Sequence, residues 1–162
     1  MKKKFFIGLF IFATIGLFIF AHLALRHNAM QDEQPIQGNL SAPIEIPEGN
    51  IIKYEEAEKL EKPMVVMFYV DWCTYCRRFM PIFAKYSEKF GKNYTFTVIN
   101  CDIPKNFKMV TKFNVMGYPS IFVIDKKLDF DFQLNHIITI DEDVMKNELN
   151  KYSKLRMKAL KN

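Results

Sequence analysis

The sequence predicts an α/β domain carried behind one N-terminal transmembrane helix. Three observations lead there. Residues 5–25 form a run of about 21 residues whose only titratable side chain is His22. Short apolar runs at 63–70, 94–101 and 120–125 are separated by stretches that can be helical, and strands alternating with helices build an α/β layer structure. A Cys-x-x-Cys pair, Cys73 and Cys76, stands where the first of those strands gives way to a helix. The length of 162 residues suits one domain plus attachments. A composition of 49% hydrophobic and 15% aromatic residues is enough for a packed core.

The N-terminal run comes first. At ~1.5 Å per residue it spans roughly 31 Å, close to the hydrocarbon thickness of a bilayer. The apolar region of a cleaved signal peptide is shorter, about 7–15 residues. No small-x-small cleavage site follows it either, because His22 stands at the −3 position before Ala24. The expected reading is an uncleaved anchor. Lys2, Lys3 and Lys4 precede it, in the basic flank 1–4, and Arg26 is the basic residue close after it. The positive-inside bias puts that flank in the cytoplasm and the rest of the chain outside the inner membrane, on the periplasmic face. Disulfides persist in that compartment. Without Lys2, Lys3, Lys4 and Arg26 the chain keeps 19 basic against 18 acidic residues. This near balance gives no reason to expect nucleic acid as a partner.

Residues 26–50 read as a flexible linker, polar at first and then punctuated by Pro35, Gly38, Pro43, Pro47 and Gly49. The globular domain is expected over 51–162. Ile51 to Lys62 reads as a short helix with Ile52, Ala57 and Leu60 turned inward. Pro63 to Val70 is apolar on both faces, as a central covered strand is. A helix from Cys73 to Phe90 follows, with Pro81 expected to kink it and Gly91 to stop it. Tyr94 to Cys101 is a second buried strand, and Pro104 to Phe113 a helix. Ser120 to Asp125 is a strand, residues 125–127 a turn, and Asp129 to Ile138 an alternating edge strand. Thr139 or Asp141 can cap a last helix reaching about Ala159, with Met145, Leu149, Tyr152 and Leu155 as its apolar stripe. Lys151, Lys154, Arg156, Lys158 and Lys161 crowd its end, where cations suit the helix dipole and water.

The chemistry centres on Cys73. At a helix N-terminus, unpaired N–H groups and the dipole favour an anion. A thiolate there has a pKa lowered into the range of roughly 3.5–7.5. A thiolate beside a second thiol can attack a disulfide and then be displaced by its neighbour. Zinc sites also use the C-x-x-C spacing but need about four ligands. This chain offers only Cys101, His22, His27 and His136 besides the pair, so no metal site is expected. A copper(I)-binding delivery or chaperone module, with the two thiolates as ligands, is the alternative reading.

Several residues taken together resemble the thioredoxin superfamily. They are Trp72-Cys73-x-x-Cys76, Pro81 five positions further on, Asn100-Cys101-Asp102 ending a strand, and Gly117-Tyr118-Pro119-Ser120 opening another. The resemblance implies a mixed central sheet with helices on both faces, and a cis peptide between Tyr118 and Pro119 lying against the cysteine pair. It implies that the backbone before Pro119 takes a client peptide as an added strand. It also gives Trp72 a docking role and lets Tyr75 tune the fit of the client. Strong oxidants of the family often carry a histidine between the cysteines. Tyr75 in its place leans towards a reductase or isomerase. Many members have a buried acid six residues before the first cysteine and a lysine on the next strand; Met67 and Val98 stand at those positions. Cys101 and His136 read as structural residues. Arg77 and Arg78 are candidates for lowering the Cys73 pKa through their charge.

The expectation is therefore a membrane-anchored thiol–disulfide oxidoreductase with Cys73 as nucleophile and Cys76 as resolving thiol. Its clients would be disulfides of exported proteins, and its electrons would come from another dithiol protein. No cofactor is required.

Overall fold

Strand and helix positions follow from where the chain can bury apolar side chains on one or both faces. The computed structural model describes residues 42–47, 49–136 and 141–161. The expected basic flank 1–4, the anchor at 5–25 and the linker up to residue 41 lie outside the described residues. Among the described residues, no helix is long and apolar enough to cross a membrane.

The elements are β1 (Ile51–Ile52), α1 (Tyr54–Ala57), β2 (Met64–Tyr69), α2 (Thr74–Phe90), β3 (Thr95–Asn100), a 3-10 turn (Pro104–Asn106), α3 (Phe107–Lys112), β4 (Ser120–Asp125), β5 (Phe130–Gln133) and α4 (Glu142–Ala159). The five strands form one sheet in the order β1-β3-β2-β4-β5. β3 runs parallel to both β1 and β2, whereas β4 is antiparallel to β2 and to β5. The expected mixed sheet is therefore present.

β2 shows why the sheet is covered on both sides. All six of its residues are buried. Val65, Met67 and Tyr69 point into one cluster, with Phe79, Phe83 and Met80 of α2 and Met145, Leu149 and Tyr152 of α4. Met64, Val66 and Phe68 point into the other, with Ala57, Phe113, Phe122 and Ile124. Side chains alternate across a strand, so a central strand with helices on both faces must be apolar at every position. Full burial of each such side chain is worth about 1.5–3 kcal/mol.

Several local expectations are corrected. Residues 51–62 are not one helix: Ile51 and Ile52 pair with Phe96 and Thr97 as an edge strand, and only Tyr54–Ala57 is helical. Ala57 is buried, but Leu60 is exposed. α2 runs through Pro81, which lies on its exposed face, where a missing N–H is tolerated more easily. Gly91 ends that helix in right-handed geometry. Its glycine is required by space, since a Cβ would come 2.5 Å from the Ser87 carbonyl oxygen. β5 stops at Gln133; residues 137 and 138, and the alternative cap Thr139, lie outside the described residues. Asp141 caps α4, accepting from the N–H groups of Asp143 and Val144. Leu155, placed on the inward stripe by the sequence pattern, is exposed. Within the stretch read as linker, Ile44 is buried against the core.

Candidate active site

β2 delivers the chain to the site. Beyond Tyr69, Val70 accepts a hydrogen bond from the Cys73 N–H at 3.2 Å, which turns Asp71 and Trp72 outward. Cys73 is the N-cap of α2, with extended backbone. Its Sγ accepts the backbone N–H of Cys76 at 3.0 Å. An N-cap side chain normally supplies an oxygen to one of these orphan donors; here sulfur does so. Cys73 and Cys76 are joined as a disulfide with a Cα–Cα separation of 5.2 Å. Cys73 keeps 6% of its surface and Cys76 none. An attacking group therefore meets Cys73 first, though through a narrow opening.

A hydrogen-bonded frame surrounds the pair. Asp102, just past β3, accepts the Asp71 N–H at 2.8 Å and the Trp72 indole Nε1–H at 3.2 Å. The indole is thereby held while 61% of Trp72 stays exposed. Tyr118 meets it edge to face, with ring centroids 6.2 Å apart. The Tyr118–Pro119 peptide is cis. Ser120 Oγ donates back to the Gly117 carbonyl at 2.7 Å and closes that loop. Ser120 opens β4 opposite Phe68 of β2, so the proline loop sits at the same end of the sheet as the cysteines. Trp72 precedes Cys73 in the chain, and Tyr118 packs against the core cluster that contains both cysteines. Tyr75, 72% exposed, projects from the first turn of α2 into solvent.

Some neighbouring groups fall into place differently from their sequence readings, and others as read. Arg77 directs its guanidinium at the carbonyl oxygens of Asp71 and Ala42, so it acts on the loop that presents Cys73. Arg78 is exposed. Cys101 is a free, half-buried thiol beyond the end of β3. Burial pushes its pKa up, partly offset by a hydrogen bond with the Tyr118 hydroxyl. Burial likewise raises the Tyr118 pKa. His136 is exposed beyond β5, away from the alternating inward positions of that strand. Met67 and Val98 are register partners on adjacent strands. Met67 shares its core cluster with both cysteines. Apolar contact fills the place where an acid–lysine pair would stand, and neither charge is left buried alone.

Sequence reasoning missed the polar frame of Asp71, Asn100 and Asp102. Its signal was the Asn100-Cys101-Asp102 run itself, which places two polar side chains at the end of a buried strand, where only site contacts or water can satisfy them. Met116 was also missed. It is 86% exposed, one residue before the Gly117-Tyr118-Pro119 loop. Among the described residues, no group of three or more His, Cys, Asp or Glu side chains is placed to hold a metal ion.

The chain is similar to known proteins. The family model described as Thioredoxin matches residues 52–151. The thioredoxin-like protein HCF164, chloroplastic, of Oryza sativa subsp. japonica is 36% identical over 78 residues, covering 48% of this chain and 30% of that protein. Protein disulfide-isomerase A5 of Bos taurus is 33% identical over 89 residues, covering 54% of this chain and 17% of that protein. The thiol:disulfide interchange protein TxlA homolog of Synechocystis sp. is 33% identical over 64 residues, covering 40% and 36%. The matched region is thus a minor part of each of these relatives. In fold, the chain is similar to the crystal structure of the Trx4 domain of ERdj5, with a TM-score of 0.52 at 20% identity, covering 68% of this chain and 99% of that domain.

Proposed function

The chain belongs to the thioredoxin family, and on that premise we propose that it is a thiol–disulfide oxidoreductase working on disulfides of exported proteins. The observation that carries the reading is the cysteine pair at the N-terminus of α2. Cys73 Sγ takes the Cys76 N–H at 3.0 Å and keeps a small opening, while Cys76 is closed off.

In the reduced protein, the Cys73 thiolate attacks one sulfur of a client disulfide. The client S–S bond breaks, one client thiolate leaves, and Cys73 is joined to the client as a mixed disulfide. The Cys76 thiol then gives its proton to water or to a client thiolate and attacks Cys73 Sγ. The second client thiolate departs, and Cys73 and Cys76 end as a disulfide. Two electrons have moved to the client, and a second dithiol protein must return them. With apolar Met67 and Val98 behind the pair, the usual place of an acid that would assist proton removal from Cys76 holds none. Turnover is therefore slow unless water or the client takes that proton. Tyr75, in place of a charged histidine, leans the site towards reduction or isomerisation. The exposed Trp72 and Tyr75, the half-buried Tyr118 and the backbone before Pro119 form the client surface. The apolar run at 5–25, a segment outside the described residues, serves as a bilayer anchor that keeps the domain on the periplasmic side.

Trapping tests the roles. Cys76→Ser leaves attack intact and blocks resolution, so it accumulates mixed disulfides with clients. Cys73→Ser captures none. Capture by Cys73→Ser alone reverses the assignment. Equilibration with a glutathione redox series, beside a copper(I) titration, tests the chemistry. A pair that holds copper tightly and forms no reversible disulfide overturns the oxidoreductase reading in favour of metal delivery. A reporter fused after Asn162 tests the anchor: activity outside the cytoplasm together with resistance to carbonate extraction is expected, whereas release of a fragment lacking about the first 30 residues would show cleavage.

A further inference from the structure

Ala42, Ile44, Gly49 and Asn50, which lead into the domain, lie along α2 and the loop before it. At one end, Arg77 donates to the Ala42 carbonyl, and the Ile44 N–H donates to Asp71 Oδ1 at 2.8 Å. At the other, the Asn50 N–H donates to Ser87 Oγ at 3.1 Å. At the first of these ends, the Ile44 side chain is buried in the cluster that contains Cys73, Cys76 and Phe79. These residues form a strap reaching from the first turn of the redox helix to its last turns.

The strap connects to the indole. Asp71 uses its second carboxylate oxygen to accept Asn100 Nδ2 at 2.8 Å. Asn100 Oδ1 accepts the Asp102 N–H at 2.9 Å. Asp102 then holds the Asp71 N–H and the Trp72 indole, at 2.8 and 3.2 Å. Strap, loop, strand end and indole are one continuous hydrogen-bond chain, and such chains act as units. None of these bonds ends on a sulfur atom. The chain therefore bears on how Trp72 is presented and leaves the exchange step to the cysteines.

We propose that Ile44 and Asp71 are positioning residues for client docking. The Ile44 N–H fixes the Asp71 carboxylate, and Asp71, through Asn100 and Asp102, fixes the indole in the orientation that meets a disulfide-bearing polypeptide. The proposal rests on the reading of Trp72 as a docking side chain.

Trp72 is the one tryptophan of the chain, so its fluorescence reports the link directly. The experiment compares full-length Ile44→Ala, which keeps the N–H but loses the buried side chain, with Ile44→Pro, which loses both, and with Asp71→Ala. Reduction of insulin disulfides is the probe of client docking. Ile44→Pro and Asp71→Ala are expected to red-shift the Trp72 emission and lower its anisotropy. They should also raise KM for insulin about threefold to tenfold at unchanged kcat, the scale of the net worth of one ordinary hydrogen bond. Ile44→Ala should lower Tm while moving emission, anisotropy and KM much less than Ile44→Pro does; a merely structural strap would move Ile44→Ala and Ile44→Pro together. Equal Trp72 emission and anisotropy in those two variants overturns the proposal. Should Ile44→Pro fail to fold, Asp71→Ala decides alone, and unchanged Trp72 fluorescence there overturns it. The fluorescence measurement needs no turnover. Failure of the oxidoreductase reading would show separately, as a wild-type chain that does not reduce insulin.

Discussion

Asp125 is 1% exposed at the end of β4. A carboxylate so deep in the fold must be matched by charge and hydrogen bonds. Arg156 Nε pairs with it, the Tyr152 hydroxyl donates to it at 2.9 Å, and the Lys127 N–H donates at 3.0 Å. Arg156→Ala removes the cation and strands the carboxylate. Because Arg156 is itself partly solvated, the cost is expected at roughly 2–4 kcal/mol, towards the lower end of that for breaking a buried pair. Urea unfolding of the two proteins measures it, and a loss below about 0.5 kcal/mol would mean that the pair contributes only what a surface pair does. This interaction was not legible in the sequence. Asp125 read as part of a turn and Arg156 as one cation in a solvated basic end, because 31 positions separate them and no local pattern joins them. Cys73, Cys76, Trp72 and Pro119 were legible, because their spacing along the chain is itself the signal. Cys101 also behaves as an individual residue. Burial holds its pKa above the ordinary thiol value, so in reduced protein it should alkylate with iodoacetamide far more slowly than Cys73 at pH 7, as peptide mapping would show.

At the scale of elements, what the sequence revealed depended on how local the cause was. β2 and β4 were placed closely, because a strand covered on both faces is apolar at every position and reads that way without its partners. The edge strand β1 was not, since Ile51 and Ile52 extend only by pairing with Phe96 and Thr97, more than 40 residues away. Helix α4 was read nearly to its ends from a capping acid and an apolar stripe. Its cap makes an element-scale prediction. Asp141 Oδ1 accepts the Asp143 N–H at 2.9 Å and the Val144 N–H at 3.4 Å. Asp141→Ala should cost about 1 kcal/mol, while Asp141→Asn, which still accepts those bonds, should lose less. Thermal melts of the two variants separate them. Equal losses would assign the effect to the charge of Asp141 near the helix dipole and not to the cap.

The whole molecule has a pH signature. Six of its seven tyrosines, Tyr54, Tyr69, Tyr86, Tyr94, Tyr118 and Tyr152, are held above their ordinary pKa, with burial the leading cause in each. Tyr54 is pushed up to about 12, with Glu58 adding to the effect of burial. A phenol whose folded pKa exceeds its unfolded value makes its full contribution to stability below the unfolded pKa. It loses that contribution as pH rises from the unfolded value, about 10, to the folded one. The domain should therefore be destabilised steeply above about pH 10. Absorbance at 295 nm should show most phenols ionising together with the loss of secondary structure. Six independent titrations near pH 10 in an intact fold would refute this. The fold class itself was legible, because alternating strands and helices with a redox pair at one junction leave few arrangements. The polar frame behind Trp72 was not, because its members come from three separate segments and meet only once the sheet is assembled.

The family match begins at residue 52, and the sequence pattern also places the domain start near there. A gene trimmed to that boundary would encode every strand but β1 and all four helices, yet it would delete Ile44 and the other residues that lie along α2. The shortened protein would lack one side chain beside the redox pair and the amide that Asp71 accepts. Its circular dichroism spectrum would pass inspection, and its insulin KM would be recorded as a property of the natural protein when it belonged to the cut.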